Sequence, residues 1–399
     1  MPLATWLHRH GHTVEVVTGF PNYPGGRFYP GHEPRVWHRE SVDGIRINRV
    51  PLYPSHDLSA AGRITNYVTF AISATTLGTL MSSRADAVYV YHPPATVGLP
   101  ALTWKYLRRM PYVFHVQDLW PESVVQSGMI GSGRTQHAVA ALITGWCSLV
   151  YRGASRIAVQ SRGFKQILVE RGVPSQKIEV VPNWAEEALF KPAEPDPRLA
   201  RELQMDDHFN LVYSGNVGYF QGLDVAIRAA SRLRHLKNFQ LVIIGSGQAE
   251  QDLRKLANDL ALENVRFLGR KPYTEMGRVT ALADALLVSL QDRPFFAATI
   301  PGKTQVSLAC AKPVVMAVRG DAADLVTKAQ AGIVVEPGDE PAFAAGIERL
   351  YLLSRDEREA MGARGRDYYV RELSLDSGAR RLELLLEAAA DDRRRSKLS

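Results

Sequence analysis

The sequence predicts an α/β protein made of two doubly wound parallel sheets, and three observations predict it. The chain has 399 residues, more than one hydrophobic core usually serves. Short apolar runs of strand length alternate with amphipathic helical patterns, as buried parallel strands covered on both faces do. The scheme runs through both halves, which an acidic, proline-rich segment separates: "NWAEEALFKPAEPDP", Asn183 to Pro197, predicted to be a linker.

The elements follow in order. The chain opens with "LATWLHRHGH", a helix with a glycine stop. "TVEVVTGFP", "AVYVYHPP", "PYVFHVQDLWP", "RIAVQS" and "IEVVPNW" read as first-half strands. A doubly wound domain normally starts with a central strand and a glycine turn, which have no residues here. Either that strand has been trimmed at the start, or the sheet closes over a gap. In the second half "FNLVYSG", "FQLVIIGSG", "VRFLGR", "DALLVSL", "KPVVMAV" and "GIVVEPGD" are strands. Helices alternate with them, including Ala322 to Ala329 and Glu340 to Leu353. "IPGKTQVSLACAKPVV", Ile300 to Val315, reads as a loop, a helix to Lys312 and a strand launched by Pro313. Two Rossmann-like halves result, with a cleft expected between them and function on the loops beyond the strands' carboxyl ends.

Composition bounds the class. At 46% hydrophobic and 22% charged the chain can bury substantial cores. Cys147 and Cys310 lie far apart in apolar helical contexts, which suits a reducing compartment without a disulfide framework. Residues 1 to 192 carry 19 Lys+Arg against 12 Asp+Glu, and the remainder carry 29 against 29, so the net +7 sits in the first half. That imbalance suggests an anionic partner for the first half: a membrane surface, a phosphorylated acceptor or nucleic acid. Incidental surface charge is the plain alternative. "MPLATWLHRHGH" lacks a signal-peptide core. The stretch Ile64 to Met81 is interrupted by Asn66, Thr and Ser, and fits a buried or membrane-interfacial helix better than a span.

Several constellations carry chemistry. In "YSGNVGYFQGLD", Gly215 to Gly218 and Gly222 precede a helix and form a nest of N–H groups suited to a diphosphate, with Asn216 and Gln221 adding neutral hydrogen bonds. Gly245 and Gly247 sit where a strand turns into a helix, equally a ligand approach or a tight turn. Gly302, Lys303 and Thr304 open a helix, and free N–H groups with a nearby cation favour an anion. His115, Asp118 and Glu122 lie on a first-half carboxyl-end loop, where a His can hold a sugar hydroxyl or relay a proton. The plain alternative is that Asp118 caps a helix and His115 is a satisfied core residue. Arg270 and Lys271 offer cations at another strand end, or simply solvated charge. There is no Asp-x-Asp pair and no His/Cys cluster with metal-ligand spacing, so no metal is expected. "DDRRRSKLS" reads as a frayed tail.

The motifs "HGHTVEVVTGFPNYPGG", "DGIRINRVPLYPSH", "DLWPESVV", "VPNW", "YSGNVGYFQGLD", "LVIIGSGQ", "FLGRKPY" and "IPGKTQVSLACAKPVV" together resemble retaining glycosyltransferases of family 4. They look closest to the bacterial fucosamine-type subgroup that builds surface polysaccharides. The resemblance runs from about Ala4 to Leu385. It implies a GT-B fold with an acceptor-side domain over 1–190 and a donor domain over 191–370. A C-terminal helix, Ser374 to Ala389, would then cross back within 371–399. It implies a nucleoside-diphosphate sugar donor, UDP-linked by expectation, and no cofactor or metal. The acceptor would be a polyprenyl-diphosphate-linked sugar or glycan, and no nucleic acid is expected. The protein would be cytoplasmic and peripheral on the inner membrane face. Carried over, His115 contacts the transferred sugar, and Gly215 to Gln221 faces the diphosphate. Asn216 and Gln221 stand where many members place Arg and Lys, which leaves Lys303 as the substitute cation. The family's two glutamates fall on Ala298 and Val306, so the ribose contact passes to Gln305 or Ser307. An NDP-sugar 2-epimerase and a nucleotide-binding partner without turnover are the alternatives.

Overall fold

The computed structural model describes residues 1–22, 26–32, 35–55, 60–126 and 133–395. Parts of two quoted motifs, at 23–25 and 56, and the end of the expected tail, 396–399, lie outside them. The chain divides into two units. The first takes Met1–Gln160, Phe164–Val181 and the chain from Ala379, and the second takes Ser161–Gly163 and Pro182–Gly378.

In the first unit β1 (Glu15–Gly19), β2 (His38–Val42) and β3 (Ile45–Val50) form one sheet, and β4 (Val88–His92), β5 (Tyr112–Val116), β6 (Arg156–Val159) and β7 (Ile178–Val180) form another. β2 and β3 are antiparallel, turning at Asp43 and Gly44, both with positive φ, and this hairpin is an addition to the expected scheme. Of the two alternatives for the missing strand, closure of the sheet over the gap does not occur among the described residues. Among the described residues β1 pairs only β3 and β4 pairs only β5, so each keeps one unpaired edge.

The second unit has a single parallel sheet in the order β10-β9-β8-β11-β12-β13. Its strands are β8 (Phe209–Ser214), β9 (Phe239–Ile244), β10 (Val265–Gly269), β11 (Ala285–Ser289), β12 (Val314–Ala317) and β13 (Gly332–Val334). Alternation explains the unbroken apolar runs. Phe209, Leu211 and Tyr213 of β8 pack with Ile227 of helix Leu223–Arg232 and Ile347 of helix Glu340–Leu352, while Val212 lies beside Val242 and Leu286 of the neighbouring strands on the other face of the sheet. Each such aliphatic side chain contributes about 1.5–3 kcal/mol by burial.

Three expected boundaries shift. Ala185 and Phe190 of the supposed linker are buried in the core of the second unit, and Glu187 accepts from the Tyr369 hydroxyl at 2.9 Å, so this unit begins near Pro182 rather than 191. The helix expected to reach Lys312 spans Gly302–Ala309, because Ala311 turns left-handed at φ 54°. The last helix, Leu375–Arg395, runs past Ala389 and absorbs Asp391 to Arg395, which were expected to fray.

Candidate functional site

Between β8 and β11 the chain connections leave in opposite directions, to β9 on one side and β12 on the other. Such a switch point is where open α/β sheets accept ligands, since loops diverge there and leave a crevice. The loop after β8 is Gly215 to Gly222, and the segment after β11 leads to helix Gly302–Ala309.

These two segments are joined by hydrogen bonds. Lys303 Nζ donates to Gln221 Oε1 at 2.8 Å, and the Tyr213 hydroxyl lies 2.9 Å from the same oxygen. That hydroxyl also lies 2.6 Å from the Asn216 carbonyl, and the Lys303 ammonium sits 4.8 Å from the centre of the Tyr213 ring. Ser289, ending β11, donates to the Gln221 carbonyl, and Gln291 N–H donates to Phe220 O at 2.9 Å. Gly215 has φ +137°, and a Cβ there would lie 3.0 Å from Lys303 Cε, so the lysine stem runs directly under the turn.

The electrostatics suit an anion. Burial pushes the Lys303 ammonium down to about 8, and no carboxylate pairs with it among the described residues. Helix Gly302–Ala309 has Pro301 at its N-cap and no capping side chain, so its first N–H groups keep free valence. A Cβ on Gly302 would meet nothing within 4 Å. Behind it, the Thr304 hydroxyl and Gln305 Oε1 are buried without a hydrogen-bond partner among the described residues. The groups gathered here are mostly donors: one ammonium, exposed backbone N–H groups and a hydroxyl. Hydrogen-bond donors beside a cation hold an oxyanion.

Other expected residues are placed differently. Ser307 is spent on its own helix, donating to Lys303 O at 2.7 Å. Ala298 is buried and Val306 packs on the apolar core, so neither glutamate position offers polarity. The N–H groups of Gly215 and Val217 bond to Ile244 and Ser246 carbonyls, which leaves the nest partly filled by protein. A Cβ on Gly245 would lie 1.8 Å from Gly215 O, and one on Gly247 2.3 Å from Val217 O. The absence of a Cβ at these two glycines lets the two loops approach closely. Gly218 lies beside the Asn216 amide, and Asn216 is exposed. Arg270 is exposed at the end of β10, two strands from β8 at the outer edge of the sheet.

In the first unit His115 is 1% exposed, with its ring nitrogens 2.7 Å from the Tyr89 hydroxyl and 2.8 Å from the Gln117 amide. Burial holds it down at about 4, so it is neutral near pH 7. Asp118 accepts from the Ser123 hydroxyl, in the first turn of helix Glu122–Gln126, and burial raises its carboxyl. Glu122 pairs with Arg171 at 2.6 Å. All three make their hydrogen bonds and ion pair with partners inside the unit. Sequence reasoning missed Tyr213 and Ser289, because a tyrosine and a serine in strands read as core; only their position at the strand ends marks them.

Family comparison matches residues 1–184 to the glycosyl transferase 4-like domain and residues 198–368 to glycosyl transferases group 1. Among curated relatives, the putative colanic acid biosynthesis glycosyl transferase WcaI of Escherichia coli is 28% identical over 390 residues, covering 94% of this chain and 92% of the relative. A GDP-mannose-dependent phosphatidylinositol monomannoside mannosyltransferase of Corynebacterium glutamicum is 32% identical over 219 residues, 53% of this chain and 56% of its own length. Among solved structures, Anabaena HepE in complex with UDP and glucose has a TM-score of 0.67 at 15% identity, covering 94% of this chain and 100% of that one. WaaG, a glycosyltransferase involved in lipopolysaccharide biosynthesis, has a TM-score of 0.61 at 17% identity, covering 97% and 94%. The fold is therefore GT-B, and the chain belongs to the group 1 glycosyltransferases, with a glycosyl transferase 4-like domain first and a group 1 domain second.

Proposed function

We propose that the chain moves a sugar from a nucleoside-diphosphate sugar, UDP-linked in the first instance, to a polyprenyl-diphosphate-linked sugar or glycan in surface-polysaccharide assembly. The observation that carries this reading is the Lys303 ammonium under the Gly215 turn, beside an uncapped helix start at the switch point of the second sheet. The diphosphate sits against Lys303 and the N–H groups of Gly302 and Lys303. As the sugar–oxygen bond breaks, negative charge grows on the departing phosphate, and these fixed donors stabilise it without reorganising. In this reading the reaction needs no metal and retains the anomeric configuration. Thr304 and Gln305, whose buried oxygens have no partner among the described residues, take ribose hydroxyls in this reading in lieu of a carboxylate.

The acceptor reading is supported by the first unit. Helices Ala60–Met81, Gly98–Arg108 and Arg134–Gly153 contain no Asp or Glu. Ile64, Val68 and Ile72 form an exposed stripe on the first helix, and Leu107 and Leu142 are exposed on the other two. No helix among the described residues is long and apolar enough to cross a membrane. An acid-free apolar face suits an anionic lipid surface, where a lipid-linked acceptor resides. Surface-polysaccharide assembly is the reading that the E. coli relative's name supports.

Incubation of the full chain with UDP- and GDP-sugar panels, with and without a lipid-diphosphate acceptor, tests the proposal. Release of UDP that depends on acceptor is the expected outcome. The GDP arm is included because the Corynebacterium relative is named for GDP-mannose. Absence of turnover with every donor, alongside nucleotide binding, would replace transfer by a binding role.

A further inference from the structure

In the first unit, His12 lies in the loop between the opening helix, Pro2–Arg9, and β1. Glu383 and Glu387 stand one turn apart on helix Leu375–Arg395, and so project from the same face. His12 Nε2 is 2.7 Å from Glu383 Oε1, and one ligand atom from each of the three residues lies within 4.8 Å of the others. Residues 371 positions apart in sequence thus meet in one spot. Among the described residues Glu387 makes no hydrogen bond or ion pair, so one carboxylate of the trio is uncommitted.

We infer that His12, Glu383 and Glu387 form a binding site for a zinc-class divalent cation that clips the final helix to the loop before β1. A neutral imidazole and two carboxylates supply two negative charges, which a divalent cation neutralises. Zinc bonds nitrogen at about 2.0–2.1 Å and carboxylate oxygen at about 2.0–2.2 Å. Its ligand atoms therefore stand roughly 3.3–3.5 Å apart, a contraction that side-chain rotation supplies. The His12–Glu383 distance is already shorter than that and must open slightly as the proton between them is displaced. The imidazole selects against magnesium and calcium, which prefer oxygen ligands in larger number. Binding to the folded state alone stabilises it by mass action. The site is separate from the donor-binding residues, so it stands or falls independently of the function proposed above.

The test uses the untagged full chain, stripped with chelator and titrated with zinc chloride by calorimetry, with the thermal midpoint followed in parallel. One zinc per chain and a midpoint rise of a few degrees are expected. Glu387→Gln, which leaves the His12–Glu383 hydrogen bond in place, is expected to weaken zinc at least tenfold and to remove most of the rise. His12→Gln is expected to abolish both. Magnesium chloride at the same concentrations is expected to move neither variant nor parent. The inference is overturned by any of three results: no zinc bound by the parent, equal zinc affinity in parent and Glu387→Gln, or an equal midpoint rise with magnesium.

Discussion

Lys303 and Gln221, 82 positions apart, are joined across the switch point of the second sheet by a 2.8 Å hydrogen bond from ammonium to amide oxygen. A cation held by a neutral partner, rather than by a carboxylate, keeps its charge available for an incoming anion. On the function proposed above, donor binding turns on Lys303.

Lys303→Ala is expected to weaken UDP binding by about 10- to 100-fold, the worth of a charge-assisted hydrogen bond. Gln305→Ala is expected to cost less, since it removes a neutral contact. Isothermal titration of both variants against the parent checks the order. Equal UDP affinity in Lys303→Ala and the parent would place the diphosphate elsewhere.

The pH dependence follows from the same group. Lys303 in the free protein titrates at about 8, below its ordinary 10.5, and a bound phosphate favours the charged form. UDP affinity should therefore fall as pH rises through about 8, by at most roughly tenfold per pH unit. Lys303→Met should show weak, flat binding between pH 7 and 10. Stability runs the opposite way: between about 8 and 10.5 the unfolded chain holds this proton more readily, so the group's contribution to stability rises with pH. Lys303→Met should also unfold at a higher temperature at pH 7, having shed a buried charge.

Two glycines separate packing from binding. Gly245→Ala drives a Cβ to 1.8 Å from Gly215 O at a φ of +142°, and should lower stability by more than about 2 kcal/mol. Gly302→Ala faces open space on the first helical turn and should leave the thermal midpoint unchanged or higher. Loss of UDP affinity in Gly302→Ala without loss of stability would place the ligand over this helix start. Thermal melts with and without UDP measure both.

Acid should unfold the first unit through two histidines. Burial pushes His92 down to about 3 and His115 to about 4, and both ring nitrogens of His92 lack a partner among the described residues. Because their folded values are depressed, the unfolded chain binds the extra protons first, so stability falls as pH drops from about 6.5 towards 4. The slope should reach about 1.4 kcal/mol per pH unit for each histidine. Urea unfolding at pH 7 and pH 5 measures the slope, and His92→Phe should flatten it.

The acid-free face of the first unit should hold the protein on anionic vesicles. Co-sedimentation with phosphatidylglycerol vesicles is expected to exceed that with phosphatidylcholine and to fall with salt. Ile72→Asp, on the exposed stripe, should reduce it severalfold.

The sequence alone determined the α/β class, since strands buried on both faces cannot hide their unbroken apolar runs: "FNLVYSG" contains β8 and "FQLVIIGSG" contains β9, each followed by its glycine turn. It also marked the glycine turn at Gly215 and the helix start at Gly302, because glycine and an uncapped terminus are local features. Tertiary structure alone decided which of these meet. It set Lys303 beneath Gly215 and against Gln221, through a strand order that sequence spacing does not encode. It engaged His115, Asp118 and Glu122 with Tyr89, Ser123 and Arg171, partners that no local pattern names. It split the first half into two sheets by leaving the edges of β1 and β4 unpaired, and it drew His12 to Glu383. Local periodicity fixes which residues are buried and in what element. Pairing between distant segments depends on packing of the whole chain, and at this site that pairing places the cation.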